Sequence, residues 1–263
     1  MPALLKCIKW VVDLAVTLLL WIYYIFGWLV TFLPFYFYAF LFSRNREEAF
    51  QRLNNVFHRS FFFFLRLITP GLKWRISRAI SSIRGSVIVC NHLSYLDPIL
   101  FVSLFARQKT IVKSDFFSYP VFGWVLKTSG FLPSMTGDEF TPILIEQVER
   151  MKNYLSSGGN LFVFPEAHRS RDGRIGPFNK GVFTIARRCQ APIRVLAIRN
   201  TDRLFPPDRF LFNTCIPNTV EVEWIGSLEP DGQRDAASLA DVMAEVRFLM
   251  EKWRHEPSFG ENQ

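Results

Sequence analysis

Cysteine is scarce in this chain and never clustered: Cys7, Cys90, Cys189 and Cys215 are scattered, with no CxxC pair. That excludes a cysteine zinc site and a short secreted disulfide framework, and leaves reduced, mostly buried thiols in a cytosol-facing protein as the expectation. Acidic residues are missing altogether from Ala49 to Leu96, a stretch holding Arg52, Arg59, Arg66, Lys73, Arg75, Arg78 and Arg84. Charge of either sign is sparse, at 21% of residues. There is no internal repeat and no low-complexity linker. No small-residue cleavage site follows the first apolar segment, which argues against a removed signal peptide. A length of 263 residues suits one α/β domain plus an anchor, not two large domains.

Apolar side chains are what the sequence has in excess. Hydrophobic residues make up 49%, and phenylalanine alone contributes 28. Trp10 to Phe42 is apolar apart from Asp13 and is interrupted only by Gly27 and Pro34. About 20 apolar residues suffice to cross a bilayer. The run therefore reads as a retained membrane anchor: one long tilted helix or, the expectation we adopt, a re-entrant pair dipping into one leaflet. Lys6 and Lys9 precede it and Arg44, Arg46 and Arg52 follow, so flanking charge gives no orientation. A second piece, Phe61 to Leu72, is too short to span, and its Phe61–Phe64 cluster suits either lipid headgroups or packing on the domain. The net charge of +8 and the acid-free basic stretch fit anionic headgroups better than nucleic acid, because apolar segments adjoin them. These features place a membrane-anchoring helical segment at 1–72 and an α/β domain at 73–263.

From about residue 85, short β-rich runs alternate with helical stretches. Ser86–Cys90, Lys109–Lys113, Asn160–Phe164, Ile193–Ile198 and Thr219–Ile225 read as strands. Pro98–Ala106, Tyr119–Lys127, Phe140–Leu155, Lys180–Arg188 and Ala236–Arg254 read as helices. Such alternation implies a mostly parallel sheet flanked by helices. Ligands then bind beyond the carboxyl ends of the strands.

Two strand ends carry chemistry. The first runs into Asn91-His92-Leu93-Ser94-Tyr95-Leu96-Asp97-Pro98. A His at a strand end and an Asp five residues on can meet across one turn, so that the imidazole abstracts a proton and the carboxylate fixes its tautomer. The nucleophile would be the substrate's own hydroxyl. The competing reading makes Asp97 a helix N-cap and His92 a turn residue. Ser94 lacks a nucleophile elbow and Cys90 lies in an apolar run, so both read as structural. The second strand ends in Pro165-Glu166-Ala167-His168-Arg169-Ser170-Arg171-Asp172-Gly173-Arg174, with Lys180 beyond. This basic loop can hold a phosphate through charge-assisted bonds. Arg169 is the better ligand candidate, while Arg171 and Arg174 suit a solvated loop.

NHLSYLDP resembles the HxxxxD signature of the 1-acylglycerol-3-phosphate O-acyltransferase (lysophosphatidic acid acyltransferase) family of glycerolipid acyltransferases. FPEAHRSRDGRIGPFNKG resembles that family's FPEGTRS…FxxG block. Lys113-Ser114-Asp115-Phe116-Phe117 with Pro120, Gly123, Lys127 and Gly130, and later Ala191-Pro192-Ile193, are similar to its remaining blocks in the right order. The resemblance covers roughly residues 85 to 200 and implies a glycerol-3-phosphate acyltransferase-like fold. It also implies acyl transfer from acyl-CoA or acyl carrier protein to the free hydroxyl of 1-acylglycerol 3-phosphate in phospholipid biosynthesis. His92 would be the base, Asp97 its partner, and Lys113 and Arg169 would hold the acceptor's phosphate, with Glu166 shaping that pocket. No metal or cofactor beyond the acyl thioester is implied, although His92, Glu166 and His168 can be drawn as a metal site. Membrane lipids, the lysolipid and the acyl carrier would be the partners, at the cytoplasmic face of the inner membrane. Arg187 and Arg188 suit either an acidic carrier protein or plain solvation.

The chain departs from the family pattern at two places. Ala167-His168 replaces Gly-Thr, and Ser134, Met135 and Thr136 offer no Arg after Phe131-Leu132-Pro133. Both changes touch the acceptor side. They keep open a lyso-ornithine lipid or another lysophospholipid as acceptor, a thioesterase, and a non-catalytic lipid-binding membrane protein.

Overall fold

The computed structural model describes residues 3–134, 142–166, 168–169, 174–230 and 238–256. Met135, Thr136, Ala167 and Arg171 lie outside them. In chain order the elements are α1 (Ala3–Ile22), a π-helical stretch (Tyr23–Phe32), α2 (Leu33–Phe42), α3 (Arg46–Ile68), β1 (Leu72–Ile76), β2 (Val87–Cys90), α4 (Leu96–Leu104), β3 (Gln108–Val112) and α5 (Pro120–Thr128). Then follow β4 (Leu132–Pro133), α6 (Pro142–Ser156), β5 (Asn160–Val163), α7 (Lys180–Cys189), β6 (Ile193–Arg199), α8 (Thr201–Leu204), β7 (Asn218–Leu228) and α9 (Leu239–His255). Every strand and helix expected from the sequence is present within the described residues; the expected helix starts at Phe140 and Ala236 lie outside them. Among the described residues seven strands are ordered β1-β7-β6-β2-β5-β3-β4, and β2 pairs in parallel with β5 and β6. The two-residue β4 is too short for a sequence reading, whereas β1, Leu72-Lys73-Trp74-Arg75-Ile76, does alternate apolar and basic residues and is missed by the sequence reading.

The chain divides into two compact units built from separate stretches. The first comprises Met1–Arg75, Leu93–Ser134 and Arg199–Glu221. Here α1, the π-helical stretch and α2 form one helix, Ala3–Phe42, long and apolar enough to cross a membrane. The expected re-entrant pair is thus not made from the two halves of this run. Pro34 lies inside this run, directly after the π-helical stretch, and does not end it. At 1.5 Å per residue such a helix extends about 60 Å. Its hairpin partner is α3 instead. The Tyr36 hydroxyl donates to Asn54 Oδ1 at 2.5 Å and the Tyr23 hydroxyl to Ser60 Oγ at 2.6 Å, so the two run antiparallel. Sequence reading caught only the end of α3, a 23-residue helix whose N-cap Asn45 accepts from the Glu48 N–H. Within it Phe61 and Phe62 are buried and Phe64 stacks on Tyr23, while Phe63 is exposed. Packing claims three of these four rings.

Asp13, the lone acid of the apolar run, is buried. Its Oδ1 accepts from the Thr214 N–H at 2.8 Å and the Thr214 hydroxyl at 2.7 Å, and Lys9 pairs with its other oxygen. It ties α1 to the segment before β7. Buried amides on α3 also hold α4 and α5. Asn55 Nδ2 donates to the Val102 and Ser103 carbonyls, both at 2.9 Å, satisfying the end of α4, and Gln51 Nε2 donates to the Ser129 carbonyl behind α5. Gly123 lies on α5 so close to the preceding turn that a Cβ there would stand 2.3 Å from the Phe117 carbonyl oxygen. Gly123→Ala is therefore expected to destabilise the fold by about 1–3 kcal/mol through overpacking. A denaturation midpoint equal to the parent's would overturn that.

The second unit comprises Ile76–His92, Met135–Ile198 and Val222–Gln263. All four β2 residues, Val87-Ile88-Val89-Cys90, are buried, as a strand covered on both faces requires. On α7, Val182, Phe183, Ala186 and Cys189 are buried at helical spacing. Burial pushes the Cys189 thiol up to about 11. The expectation of buried thiols holds for Cys90 and Cys189, but Cys7 and Cys215 are exposed. Ser238 and Asp241 form a capping box that starts α9.

Candidate active site

Strand β2 ends in a polar lock. The Asn91 side chain pairs with the backbone of Ile198 on β6, its Nδ2 donating to the carbonyl at 3.0 Å and its Oδ1 accepting from the N–H at 2.8 Å. A side-chain amide thus extends the parallel ladder by one rung and holds the peptide that presents His92. The His92 ring stacks on Phe164, which follows β5, with centroids 4.3 Å apart. Its N–H donates to Glu166 Oε1 at 3.1 Å.

Asp97 closes the turn that follows. Its fully buried carboxylate accepts through Oδ2 from the N–H groups of Leu93 at 2.6 Å and Ser94 at 2.8 Å. It lies in the first turn of α4, where the helix dipole favours negative charge, and Tyr95 is the N-cap. Asp97 is therefore no N-cap; it folds the chain between His92 and the helix. The Ser94 hydroxyl donates to the Phe205 carbonyl at 2.8 Å, which makes that serine structural. Sequence reading missed Asp202, which sits in the first turn of α8. Burial raises its carboxyl, and the Asp97 charge adds to the rise. No motif marks it, since only folding brings it near the loop.

Glu166 is 5% exposed. Besides the His92 amide it accepts the Gly176 N–H on Oε2 at 2.7 Å. Burial raises its carboxyl, opposed by those two amides and by the charges of His92 and Arg247. The loop returns through Asn179, whose N–H donates to the Pro165 carbonyl at 2.7 Å and whose side chain caps α7. Arg169 is half-buried and His168 exposed. Lys113, after β3, is exposed and paired with Asp115 at 2.5 Å, which raises its ammonium. Within one unit, then, the structure joins His92 to Glu166, and within the other it binds Asp97 to the amides directly after His92.

Comparison with known proteins adds the following. The acyltransferase family model matches residues 72–199. A chloroplastic 1-acyl-sn-glycerol-3-phosphate acyltransferase of Brassica napus is 36% identical over 48% of this chain and 36% of its own length. The match thus spans about a third of that plant relative. The Pseudomonas aeruginosa 1-acyl-sn-glycerol-3-phosphate acyltransferase is 24% identical over 75% of this chain and 80% of its length. A solved structure of the 1-acyl-sn-glycerophosphate acyltransferase of Thermotoga maritima superposes with a TM-score of 0.70 at 23% identity, covering 95% of this chain and 99% of that one. This last likeness is one of fold. The match of residues 72–199 to the acyltransferase family model and the named relatives carry one conclusion: this part of the chain is an acyltransferase-type domain, similar to that of 1-acyl-sn-glycerol-3-phosphate acyltransferases.

Proposed function

We propose that the protein transfers a fatty acyl chain from an acyl thioester, acyl-CoA or acyl carrier protein, to the free hydroxyl of 1-acylglycerol 3-phosphate, making phosphatidic acid. The observation that carries this reading is the turn at the end of β2, in which a buried carboxylate gathers the two amides after His92 while Glu166 holds the His92 amide. In the proposed reaction His92 takes the proton of the acceptor hydroxyl, whose oxygen bonds to the thioester carbonyl carbon. The carbon–sulfur bond then breaks, and the thiolate leaves with the proton returned by the imidazolium. Asp97 orients the imidazole and stabilises its charged form. Arg169 and Lys113 hold the phosphate, and Glu166 shapes the loop around it. Both acceptor and product are amphiphiles, so the long apolar helix Ala3–Phe42 would keep the site at the membrane, on the cytoplasmic face where acyl thioesters are found.

A second acceptor is favoured by one feature. Ser134 stands where the family often has an arginine after Pro133, and one charge-assisted phosphate bond is worth about 1.5–3 kcal/mol. Purified protein in phospholipid vesicles, supplied with labelled acyl thioester and either lysophosphatidate or other lysolipids, tests both readings. Labelled phosphatidic acid is the expected product. Acylation of a different lysolipid at a higher rate would replace the acceptor, and hydrolysis without transfer to any of them would refute the proposal.

A further inference from the structure

We infer that Arg247, on the C-terminal helix α9, is a positioning residue for the acyl-transfer site, acting through Gly176 and Glu166 on His92. Its guanidinium donates from one nitrogen to the Ile175 carbonyl at 3.1 Å and from the other to the Gly176 carbonyl, and lies 4.7 Å over the Phe178 ring. It thus grips the return strand of the second loop by two successive carbonyls and the following ring. The Gly176 N–H donates to Glu166 Oε2, and the opposite carboxylate oxygen receives the His92 N–H. A chain of hydrogen bonds therefore runs from α9 to the peptide of the proposed base, all within one unit. Gly176 fits this role because a Cβ there would come within 3.3 Å of Glu166 Oε2. The planar fork of arginine spans two carbonyls, which a lysine ammonium cannot copy. Arg247 lies beyond residues 72–199, where the family model ends, and its further ion-pair partner is Glu251 on the same helix.

Arg247 also acts on Glu166 by charge. Burial already raises that carboxyl, and the His92 imidazole and the Arg247 guanidinium are the charged groups that lower it. Removing the guanidinium raises it further, so a site that needs Glu166 ionised loses activity on the acid side at higher pH than the parent.

The role rests on the acyl-transfer reading, and the test separates the two. Arg247→Met and Arg247→Lys are compared with the parent in vesicles carrying the acyl acceptor. For R247M the expected result is a kcat at least about 30-fold lower, KM values for both substrates within about threefold of the parent, and an acid limb moved to higher pH. R247K is expected to restore the limb and part of kcat. Amide exchange supplies a second readout that needs no activity: Gly176 and His92 amides should exchange at least about tenfold faster in R247M, with Val89 in β2 unchanged. An R247M kcat within threefold of an active parent, an unmoved limb, or unchanged exchange at Gly176 and His92 would overturn the role. A parent that transfers no acyl group to any acceptor would refute the acyl-transfer reading, leaving the exchange result to decide the positioning.

Discussion

Replacing His92 by alanine is expected to lower acyl transfer by about 10³-fold, within the range that a general base contributes. The fold should survive. The backbone bond to Glu166 uses the His92 N–H, which alanine retains. What the variant loses structurally is the stack on Phe164, worth about 0.5–1.5 kcal/mol. A steady-state assay at saturating thioester, alongside thermal denaturation, separates the two effects. Activity within tenfold of the parent would mean that the imidazole removes no proton in the rate-limiting step.

The second large effect concerns Asp97 and is best read from two variants together. Asp97→Asn keeps one side-chain oxygen that can accept the amides of Leu93 and Ser94, so the turn should hold, but it removes the negative charge. Its expected signature is a kcat lowered by about 10²-fold or more with a nearly unchanged melting temperature. Asp97→Ala loses the charge and both charge-assisted bonds, each worth about 1.5–3 kcal/mol, and should also be markedly less stable. If Asp97→Asn retains kcat within threefold while Asp97→Ala unfolds, the carboxylate serves the turn alone.

Much of this architecture was readable before any coordinates. The five strands and five helices expected from periodicity are present because parallel strands must be continuously apolar and their covering helices amphipathic, as β2 and α7 show. The positions of His92 and Asp97 at the end of β2 followed from the same pattern. The helical hairpin was not readable in this way. Its second arm, α3, buries Gln51, Asn54 and Asn55 against the carbonyls and hydroxyls of other helices. Polar residues on a buried face blur the apolar stripe that a sequence reading follows. Asp13 stands out in the sequence as the one acid of an apolar run, but its partner, Thr214, lies far along the chain and no local pattern points to it.

The sequence by itself determined the strand–helix alternation from about residue 85, the apolar character of the first segment, and the two loops that carry His92, Asp97, Glu166 and Arg169, since each depends on residues close together in the chain. Only the tertiary structure decided how the loops are held. The Asn91 lock on Ile198, the clasp of Glu166 on the His92 and Gly176 amides, and the reach of Arg247 to Ile175 and Gly176 all join distant residues. Those bonds form between side chains and backbone groups, and backbone groups carry no residue-specific signal. Folding alone selects which peptide meets which side chain.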